Sequence, residues 1–352
     1  MDNIINLLPY DIDGLLIVSQ VNRLFFTGFN SSDGFLLITK NGTVFLTDSR
    51  YIEEARNKIK FCKVEELTSF SKQMPELCRE LNCSVLGIEA DRLTVSELKQ
   101  YRRLLKNIKL TTIGTDKIID RLRAVKRADE VDKIVKAQHI AEKAFDHILG
   151  FIRQGVTEKQ IALELDYYML SHGADALSFE TIAISGANTS KPHGVPTEKK
   201  IEIGDFITMD YGAVIDGYHS DMTRTVAFGS VSDEQIKIYN TVLDAQLAVL
   251  KELKPGLKCA DADKFARNII SDKGCGEYFR HSTGHGVGVE IHEKPNLSPK
   301  SKGVLETGNV VTVEPGIYLP GKFGVRIEDM ALITENGNMN LTNIDKSLLV
   351  LN

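Results

Sequence analysis

The chain has 352 residues, of which 42% are hydrophobic and 26% are charged. This balance is typical of folded globular proteins and excludes disorder as the main state, and the length predicts two domains at about 100 to 200 residues each. Lys and Arg number 43 against 48 Asp and Glu, a net charge of −5, so we expect no nucleic-acid partner.

The N-terminal sequence and the hydropathy pattern favour a cytoplasmic protein without a membrane partner. The opening segment MDNIINLLPYDIDG has acidic residues and lacks the basic region of a signal peptide. No uninterrupted apolar run is long enough to predict a membrane span. The five cysteines include no Cys-x-x-Cys pair, so we expect reduced thiols rather than a zinc site or a disulfide framework.

Four short apolar runs in the first third of the chain predict β-strands. They are bounded by Gly, Asn or Asp and alternate with helical stretches, which is typical of a small α/β domain. We assign residues 1–118 to this domain. The four runs cover residues 14–18, 34–38, 43–46 and 85–88.

From about residue 119 the pattern changes to long helices arranged in pairs. Apolar residues at three- and four-residue spacing predict a helix near residues 128–153. A capping-box sequence at Thr157 opens a second helix that ends near Gly173. A similar capping box at Ser232 begins another helix pair, which ends near Lys273.

The strands that follow the two helix pairs resemble each other. Residues 204–212 align with residues 308–316 at an offset of 104, with both glycines, the threonine and the acidic position in agreement. Self-similarity at a fixed spacing indicates repeated supersecondary units. We therefore expect residues 119–352 to contain an internal pseudo-two-fold duplication, in which two half-domains face each other and each contributes an acidic strand.

Four acidic residues are predicted to lie within strands. Asp210 and Glu314 lie in the two repeated segments, Asp221 lies in a strand over residues 220–226 that follows a turn at residues 214–218, and Glu328 lies in a strand over residues 324–330. A carboxylate in a buried sheet is costly unless it is paired or binds a metal ion. A single acid would be explained by a partner such as Arg224 or Arg326, but four acids related by a repeat would repel one another, and two divalent cations would neutralise them. The sequence therefore predicts a metal site formed by Asp210, Asp221, Glu314 and Glu328.

A histidine-rich segment supplies a candidate nitrogen ligand. Residues 281–295 contain three of the eight histidines, and the glycines beside His285 allow close backbone approach. The sequence at His292-Glu293 begins like a zinc-protease motif but lacks the second histidine, so a His-Glu-x-x-His site is not indicated. His219 is left open, and we interpret three histidines on the predicted helices as ordinary packed or surface residues: His139, His147 and His172.

Together, the four acids and His285, with Pro192-His193-Gly194 upstream, resemble the metal-binding pattern of the pita-bread (M24-type) metallopeptidases. This family includes Xaa-Pro dipeptidase (prolidase), aminopeptidase P and methionine aminopeptidase. The resemblance covers residues 119–352 and implies an α+β pita-bread catalytic domain. Residues 1–118 resemble the α/β creatinase-like N-terminal domain of the proline-specific branch, with residues 27–29 and 47–51 in the expected places.

The resemblance implies a centre with two divalent metal ions. In that pattern Asp210 binds one ion, His285 and Glu314 bind the other, and Asp221 and Glu328 bridge the two. Glu314 also resembles the family's catalytic glutamate. Ligation by many oxygens and one nitrogen favours manganese, with cobalt or zinc as alternatives.

The resemblance also assigns residues around the metal centre. His193 and His292 resemble the family's outer histidines, which contact the substrate and stabilise the oxyanion. Arg326 shares a strand face with Glu328 and is predicted to fix a ligand carboxylate from outside the ligand set. Phe179 and Ile182 are candidates for the wall of a proline pocket, with ordinary core packing as the alternative.

The implied activity is hydrolysis of the Xaa-Pro bond at the N-terminus of dipeptides or short peptides. Dipeptidases of this family often place an arginine shortly after the His-Glu-x-Pro segment, whereas Asn296 follows Pro295 here, so both substrate lengths stay open. Methionine-type aminopeptidase activity and a non-catalytic binding module on the same fold are the alternatives. Methionine aminopeptidases usually lack the N-terminal domain, and a binding module predicts substituted ligands. A homodimer is the default expectation for the assembly.

Overall fold

A computed structural model describes residues 7–352. The first six residues of the opening segment, which the sequence analysis interpreted as lacking a signal peptide, lie outside this range. The chain divides between Arg123 and Ala124 into two compact units. The boundary predicted from sequence, after residue 118, falls inside a helix that covers Thr115–Ala124. Among the described helices, none combines the length and the apolarity required to cross a membrane.

The N-terminal unit contains a six-stranded mixed sheet with the order β4-β3-β2-β1-β5-β6. Leu15 and Ile17 belong to the apolar cluster on one face, whereas Leu16 belongs to the cluster on the other. Burial of both faces explains why the inner strands of the sheet are largely continuous apolar runs rather than alternating ones. The strands are β1 (Gly14–Ile17), β2 (Phe35–Thr39), β3 (Gly42–Thr47), β4 (Lys63–Glu66), β5 (Val85–Ile88) and β6 (Lys109–Thr111).

Five helices accompany this sheet among the described residues, from residue 7 onward. The first is capped by the Ser19 side chain, which accepts a hydrogen bond from the Asn22 backbone N–H, and it ends at Gly28 in the left-handed conformation. The fourth begins with a capping box in which Thr94 and Glu97 bond reciprocally. The helices are α1 (Gln20–Thr27), α2 (Ile52–Lys58), α3 (Phe70–Glu80), α4 (Val95–Leu104) and α5 (Thr115–Ala124).

The C-terminal unit contains two helix pairs, as the sequence predicts. Helices α6 (Ala128–Phe151) and α7 (Glu158–Ser171) form the first pair, and α8 (Asp233–Glu252) and α9 (Cys259–Asp272) form the second. Thr157 and Ser232 cap α7 and α8 through the expected capping boxes. Each pair packs its apolar side chains against one of two separate sheets.

The two main sheets of this unit have the orders β20-β12-β9-β8 and β14-β13-β15-β18-β19. In each sheet, the strand after a helix pair pairs antiparallel with a later strand, β9 with β12 and β15 with β18. This repetition agrees with the predicted duplication. The strands are β8 (Ile182–Ser185), β9 (Phe206–Tyr211), β12 (Met222–Phe228), β13 (Gly284–Gly286), β14 (Glu293–Leu297), β15 (Val310–Val313), β18 (Asp329–Thr334), β19 (Gly337–Asn340) and β20 (Val350–Leu351).

Small strands complete the unit. The segment predicted as a turn after β9 forms its own hairpin, in which Asp216 and Gly217 both have positive φ, 49° and 78°. Short 3₁₀ helices cover Gly186–Ser190 and Gly276–Tyr278. The small strands are β7 (Ala176–Leu177), β10 (Ala213–Ile215), β11 (Tyr218–His219), β16 (Gly316–Leu319) and β17 (Phe323–Arg326).

The acidic residues occupy strand ends more often than the sequence predicts. Asp210 lies inside β9, but Asp221 and Glu314 lie one residue outside β12 and β15. The continuous strand predicted over residues 324–330 is wrong, because it breaks at Ile327-Glu328 into β17 and β18. Glu328 at this break bridges to Thr223 of β12, so the backbone leaves one sheet and contacts the other.

Candidate active site

A cavity of about 620 Å³ in the C-terminal unit is lined by every residue that the sequence assigned to the site. Deeply placed carboxylates and an imidazole lie at its base, whereas His193 and His292 are exposed at its mouth. The assigned residues that line it are Phe179, Ile182, His193, Asp210, Asp221, His285, His292, Glu314, Arg326 and Glu328.

His285 lies between two glycines on β13, which pairs with β14 on one side and β15 on the other. A Cβ atom at Gly284 would lie 1.9 Å from the Thr312 carbonyl oxygen, and one at Gly286 would lie 2.3 Å from the Lys294 carbonyl oxygen. Only glycines permit this close strand packing. The Nδ1 atom of His285 lies 3.0 Å from the Gly286 carbonyl oxygen, which orients the Nε2 atom toward the carboxylates.

Three side chains form a compact group at the base of the cavity. Asp221, His285 and Glu328 each offer one ligand atom, and these atoms all lie within 4.8 Å of one another. His285 Nε2 is 3.5 Å from Asp221 Oδ2. Thr223 holds Glu328 in place by donating its hydroxyl to Oε2 at 2.6 Å. This group has the donor types and the spacing of a metal site.

Asp210 and Arg326 form a nearly buried ion pair beside that group. Arg326 Nη2 lies 2.6 Å from Asp210 Oδ2, and the two side chains are 5% and 14% exposed. Arg326 also donates to the Thr223 hydroxyl, the Pro192 carbonyl and the Tyr318 hydroxyl. The guanidinium therefore fixes one carboxylate oxygen of Asp210. The other, Oδ1, is buried without a hydrogen-bond partner among the described residues.

The carboxylates at the base are electrostatically frustrated. Burial and the charge of Glu328 hold the pKa of Asp221 well above its usual range. Burial and the charge of Glu314 do the same to the pKa of Glu328. Burial also raises the pKa of Asp210, although Arg326 opposes this shift. Bound cations would relieve this repulsion.

Glu314 is the exception, because it is stabilised as an anion. Burial alone would raise its pKa, but the hydrogen bond and charge of His285 lower it to about 2. His285 Nε2 lies 3.3 Å from Glu314 Oε1. The pKa of His285 is raised by this partner, against the opposing effect of burial. Thr312 donates its hydroxyl to the same carboxylate at 3.0 Å.

The residues predicted around the centre surround the open side of the cavity. The rings of His292 and His285 meet edge to face with centroids 4.4 Å apart. Burial and the charge of His285 lower the pKa of His292, so its imidazole is neutral at neutral pH. Phe179 and Ile182 line the same cavity and are both partly exposed.

Sequence reasoning gave no role to two residues that contact this centre. His281 lines the cavity, and its Nε2 lies 3.0 Å from the Tyr318 hydroxyl, which accepts a hydrogen bond from Arg326. Burial lowers the pKa of His281 and raises the pKa of Tyr318 to about 12. The position of His281 four residues before His285 was a usable signal. Tyr318 lies on a separate hairpin and carried none.

The remaining histidines lie outside the cavity. His147 pairs with Glu164 at 2.6 Å and stacks on Tyr168, whose ring also stacks on His172. His139 is mostly exposed near Glu142. These three are surface residues, in agreement with the sequence interpretation. His219 lies on β11, and its Nδ1 atom is buried without a partner among the described residues.

The residues present fit a metal centre. The buried Oδ1 atom of Asp210 lacks a donor, and the raised pKa values of Asp221 and Glu328 show that negative charge is under-compensated. Carboxylate oxygens with one imidazole nitrogen suit hard or borderline divalent ions. A dinuclear site is consistent with this set, because the compact group accounts for only three of the five ligand-type side chains.

Comparison with known proteins identifies the family. Residues 132–335 match metallopeptidase family M24, and residues 9–125 match the creatinase/prolidase N-terminal domain. An uncharacterized peptidase, YqhT of Bacillus subtilis, is 43% identical over 97% of this chain and 96% of its own. A solved structure described as Xaa-Pro dipeptidase from Bacillus anthracis superposes with a TM-score of 0.92 at 42% identity, covering 97% of this chain and 95% of that one.

A second solved structure, described as X-Pro aminopeptidase from Thermotoga maritima, has a TM-score of 0.91 at 37% identity and covers 96% of this chain and 97% of its own. Both neighbours extend over the N-terminal and C-terminal units. Family M24 consists of metal-dependent hydrolases with dinuclear centres, and the cluster around His285 lies within the matched segment. The chain therefore belongs to metallopeptidase family M24 and has a creatinase-type N-terminal domain in front of its catalytic domain.

Proposed function

We propose that the chain is a dinuclear-metal exopeptidase that hydrolyses the Xaa-Pro bond at the N-terminus of dipeptides or short peptides. The observation that carries this proposal is the convergence of five ligand-type side chains on one cavity, with an unpartnered buried oxygen on Asp210. Two of the similar structures are described as an Xaa-Pro dipeptidase and an X-Pro aminopeptidase.

The proposed ligand assignment follows the family pattern. Asp210, Asp221, His285, Glu314 and Glu328 would together hold the two divalent ions. The proximity of Asp221, His285 and Glu328 supports shared ligation. Divalent ions supply Lewis-acid stabilisation and a strongly activated water molecule at such a site.

Glu314 is proposed to transfer the proton of the attacking water to the leaving proline nitrogen. An imide nitrogen leaves poorly unless it is protonated, so this transfer is required for Xaa-Pro cleavage. The Glu314 carboxylate lines the cavity and lies 3.3 Å from His285 Nε2, within the proposed ligand set. Its hydrogen bond from Thr312 orients the carboxylate.

The residues at the cavity mouth are proposed to bind the substrate. His193 and His292 donate hydrogen bonds to the scissile carbonyl oxygen as it becomes an oxyanion, and each such donor is worth about 10² to 10³ in kcat. The lowered pKa of His292 keeps one ring N–H on a neutral imidazole. Phe179 and Ile182 form the apolar wall that receives the proline ring. Arg326 holds Asp210 in place.

Substrate length is the finer question. The described residues that line the cavity include one guanidinium, Arg326, and no lysine, and Arg326 is already paired with Asp210. A free dipeptide carboxylate therefore has no uncommitted cationic partner in this lining, which favours substrates that continue beyond proline. Dipeptides are retained as substrates until they are assayed.

We favour manganese as the metal because oxygen donors dominate the proposed ligand set, with cobalt and zinc as alternatives. A homodimer is our proposal for the assembly, on the general preference of such chains for two-fold symmetry.

The experiment is an assay of the purified chain with Mn²⁺, Co²⁺ or Zn²⁺ on Xaa-Pro, Xaa-Pro-Yaa and the matching Xaa-Ala-Yaa peptides. We expect cleavage of proline substrates only, and loss of that cleavage in Asp221→Asn. The matched control is Asp261→Asn, since Asp261 is an exposed acid paired with Lys264 on α9. Cleavage of Xaa-Ala-Yaa or Met-Ala-Yaa in preference to proline peptides, or full activity of Asp221→Asn, would contradict the proposal.

A further inference from the structure

A buried ion pair lies beneath the segment that carries His292. Lys126 Nζ lies 3.1 Å from Glu293 Oε2, and the two side chains are only 1% and 3% exposed. Lys126 precedes helix α6, whereas Glu293 begins strand β14 directly after His292. The pair joins residues that are 167 positions apart in the chain.

The Glu293 carboxylate organises the segment 287–292, which we call the His292 loop. Its Oε1 atom accepts a hydrogen bond from the Glu290 backbone N–H at 3.0 Å. A Cβ atom at Gly288 would lie 2.5 Å from Glu293 Oε2, so the carboxylate fills the space inside the loop. The backbone N–H of Gly288 also donates to the Glu290 carbonyl at 3.1 Å.

Lys126 is itself held by the backbone around it. Its N–H donates to the Gly308 carbonyl at 2.8 Å, and the neighbouring Val125 forms a β-bridge with Asn309. The Asn309 side chain donates to the Ala124 carbonyl at 3.0 Å. The ammonium group therefore projects from a fixed point next to the start of β15.

Stability alone does not account for such a pair. Replacing a buried ion pair by apolar residues of similar volume is often neutral or stabilising, because desolvation offsets the attraction between the charges. What the pair provides is a defined position for the Glu293 carboxylate, and through it for the loop. The loop in turn sets the position of the exposed His292 ring, whose centroid lies 4.4 Å from that of the His285 ring.

We propose that Lys126 and Glu293 are positioning residues, whose ion pair holds the His292 loop so that the imidazole reaches the substrate carbonyl. This inference rests on the proposed function, because the ion pair is proposed to position His292 for its contact with the substrate. A misplacement of about 1 Å at a catalytic group can cost about 100-fold in rate.

The first test is a double-mutant cycle between Lys126→Met and His292→Ala, with Mn²⁺-loaded protein and an Xaa-Pro-Yaa substrate. We expect Lys126→Met to lower kcat about 10- to 100-fold with unchanged metal content, and to have no further effect when His292 is already alanine. Lys322→Met is the control, because it removes an exposed ion pair with Glu234 and should leave kcat unchanged. Independent, multiplicative effects of the two substitutions would overturn the proposal.

The second test separates positioning from stability. Lys126→Met leaves Glu293 buried without its cation, so a lower unfolding midpoint is expected whatever the purpose of the pair. The variant Lys126→Met/Glu293→Leu removes both charges, and we expect it to regain the midpoint while kcat stays low, because the hydrogen bond to Glu290 is lost. Recovery of kcat together with the midpoint would overturn the proposal.

A third measurement does not depend on activity. The imidazole resonances of His292 in the NMR spectrum can be assigned by their loss in His292→Ala. We expect them to shift or broaden in Lys126→Met and to stay unchanged in Lys322→Met. If the unmodified chain hydrolyses no Xaa-Pro peptide, the proposed function fails, yet this measurement still tests the loop. Identical His292 resonances in Lys126→Met and the unmodified chain would refute the positioning role.

Discussion

Replacing Arg326 with methionine tests whether the Asp210 carboxylate is compensated by the Arg326 guanidinium alone or also by a bound metal ion. The Arg326 guanidinium pairs with Asp210 at 2.6 Å and donates three further hydrogen bonds inside the C-terminal unit. Breaking a buried pair by removing one partner costs about 3 to 5 kcal/mol, because the remaining charge is left uncompensated. We expect Arg326→Met to lose this amount from the free energy of unfolding of the metal-free protein.

In excess Mn²⁺, Arg326→Met should lower the free energy of unfolding by a smaller amount. If Asp210 is a metal ligand, its charge is then compensated by the cation, and only the lost packing and the other hydrogen bonds remain. A hydrogen bond to a charged group is worth about 1.5 to 3 kcal/mol, so we expect Mn²⁺ to reduce the destabilisation by about 2 kcal/mol.

The assay is urea unfolding followed by far-UV circular dichroism at pH 8, in EDTA and in excess Mn²⁺, since the chain has no tryptophan for fluorescence. Lys199→Met is the control. Lys199 forms a partly buried pair with Asp205 at 2.5 Å, and neither residue lines the cavity, so the effect of this substitution should be independent of metal. The same destabilisation of Arg326→Met in EDTA and in Mn²⁺ would refute the reasoning.

Three further predictions concern single side chains. Burial and the charge of Glu328 raise the pKa of Asp221, so its proton stabilises the metal-free folded state below the unfolded pKa of about 4, and this contribution is lost as pH rises through the raised value. Urea unfolding in EDTA from pH 4 to 9 should show the loss, and Asp221→Asn should reduce the slope, while the raised pKa values of Glu328 and Asp210 account for the rest. His292→Ala should lower kcat about 10² to 10³-fold at unchanged metal content, which steady-state kinetics and elemental analysis check, and an unchanged kcat would exclude His292 as an oxyanion donor. Ser232→Ala removes the cap of α8 and should cost about 1 kcal/mol in urea unfolding, whereas no loss would show that the helix end is held by other contacts.

The helix pairs were predictable because their signals are local. Capping boxes at Thr157 and Ser232 fix where α7 and α8 begin, and each helix starts at the residue after its cap. The apolar stripe predicted near residues 128–153 corresponds to α6 at Ala128–Phe151. The repeat at an offset of 104 likewise identified β9 and β15 as related strands.

The residues that form the site could be predicted from the sequence, but their arrangement in space was less predictable. The acids stood out because carboxylates in apolar strands are costly to bury, and all of them line the one cavity. The break before Glu328 was not predictable from alternation, because it depends on a bridge to Thr223 of another sheet. The contact between His281 and Tyr318 joins two separate segments and has no local signal in the sequence.

The domain boundary illustrates a similar limit. The change to long helices near residue 119 was visible in composition, but the division lies between Arg123 and Ala124 at the end of α5. The local sequence pattern of a helix is the same whether the helix packs in the N-terminal or in the C-terminal unit. Packing over long sequence distances decides such assignments.

The most direct test of a dinuclear centre is its metal stoichiometry. The chain should be stripped with EDTA, saturated with Mn²⁺, freed of excess metal by gel filtration and analysed for manganese and protein concentration. The proposed ligand set predicts two ions per chain, and Asp221→Asn, which lacks one carboxylate of that set, should retain fewer than one with a nearly native circular dichroism spectrum. A folded, unmodified chain that binds no manganese or cobalt would contradict the account.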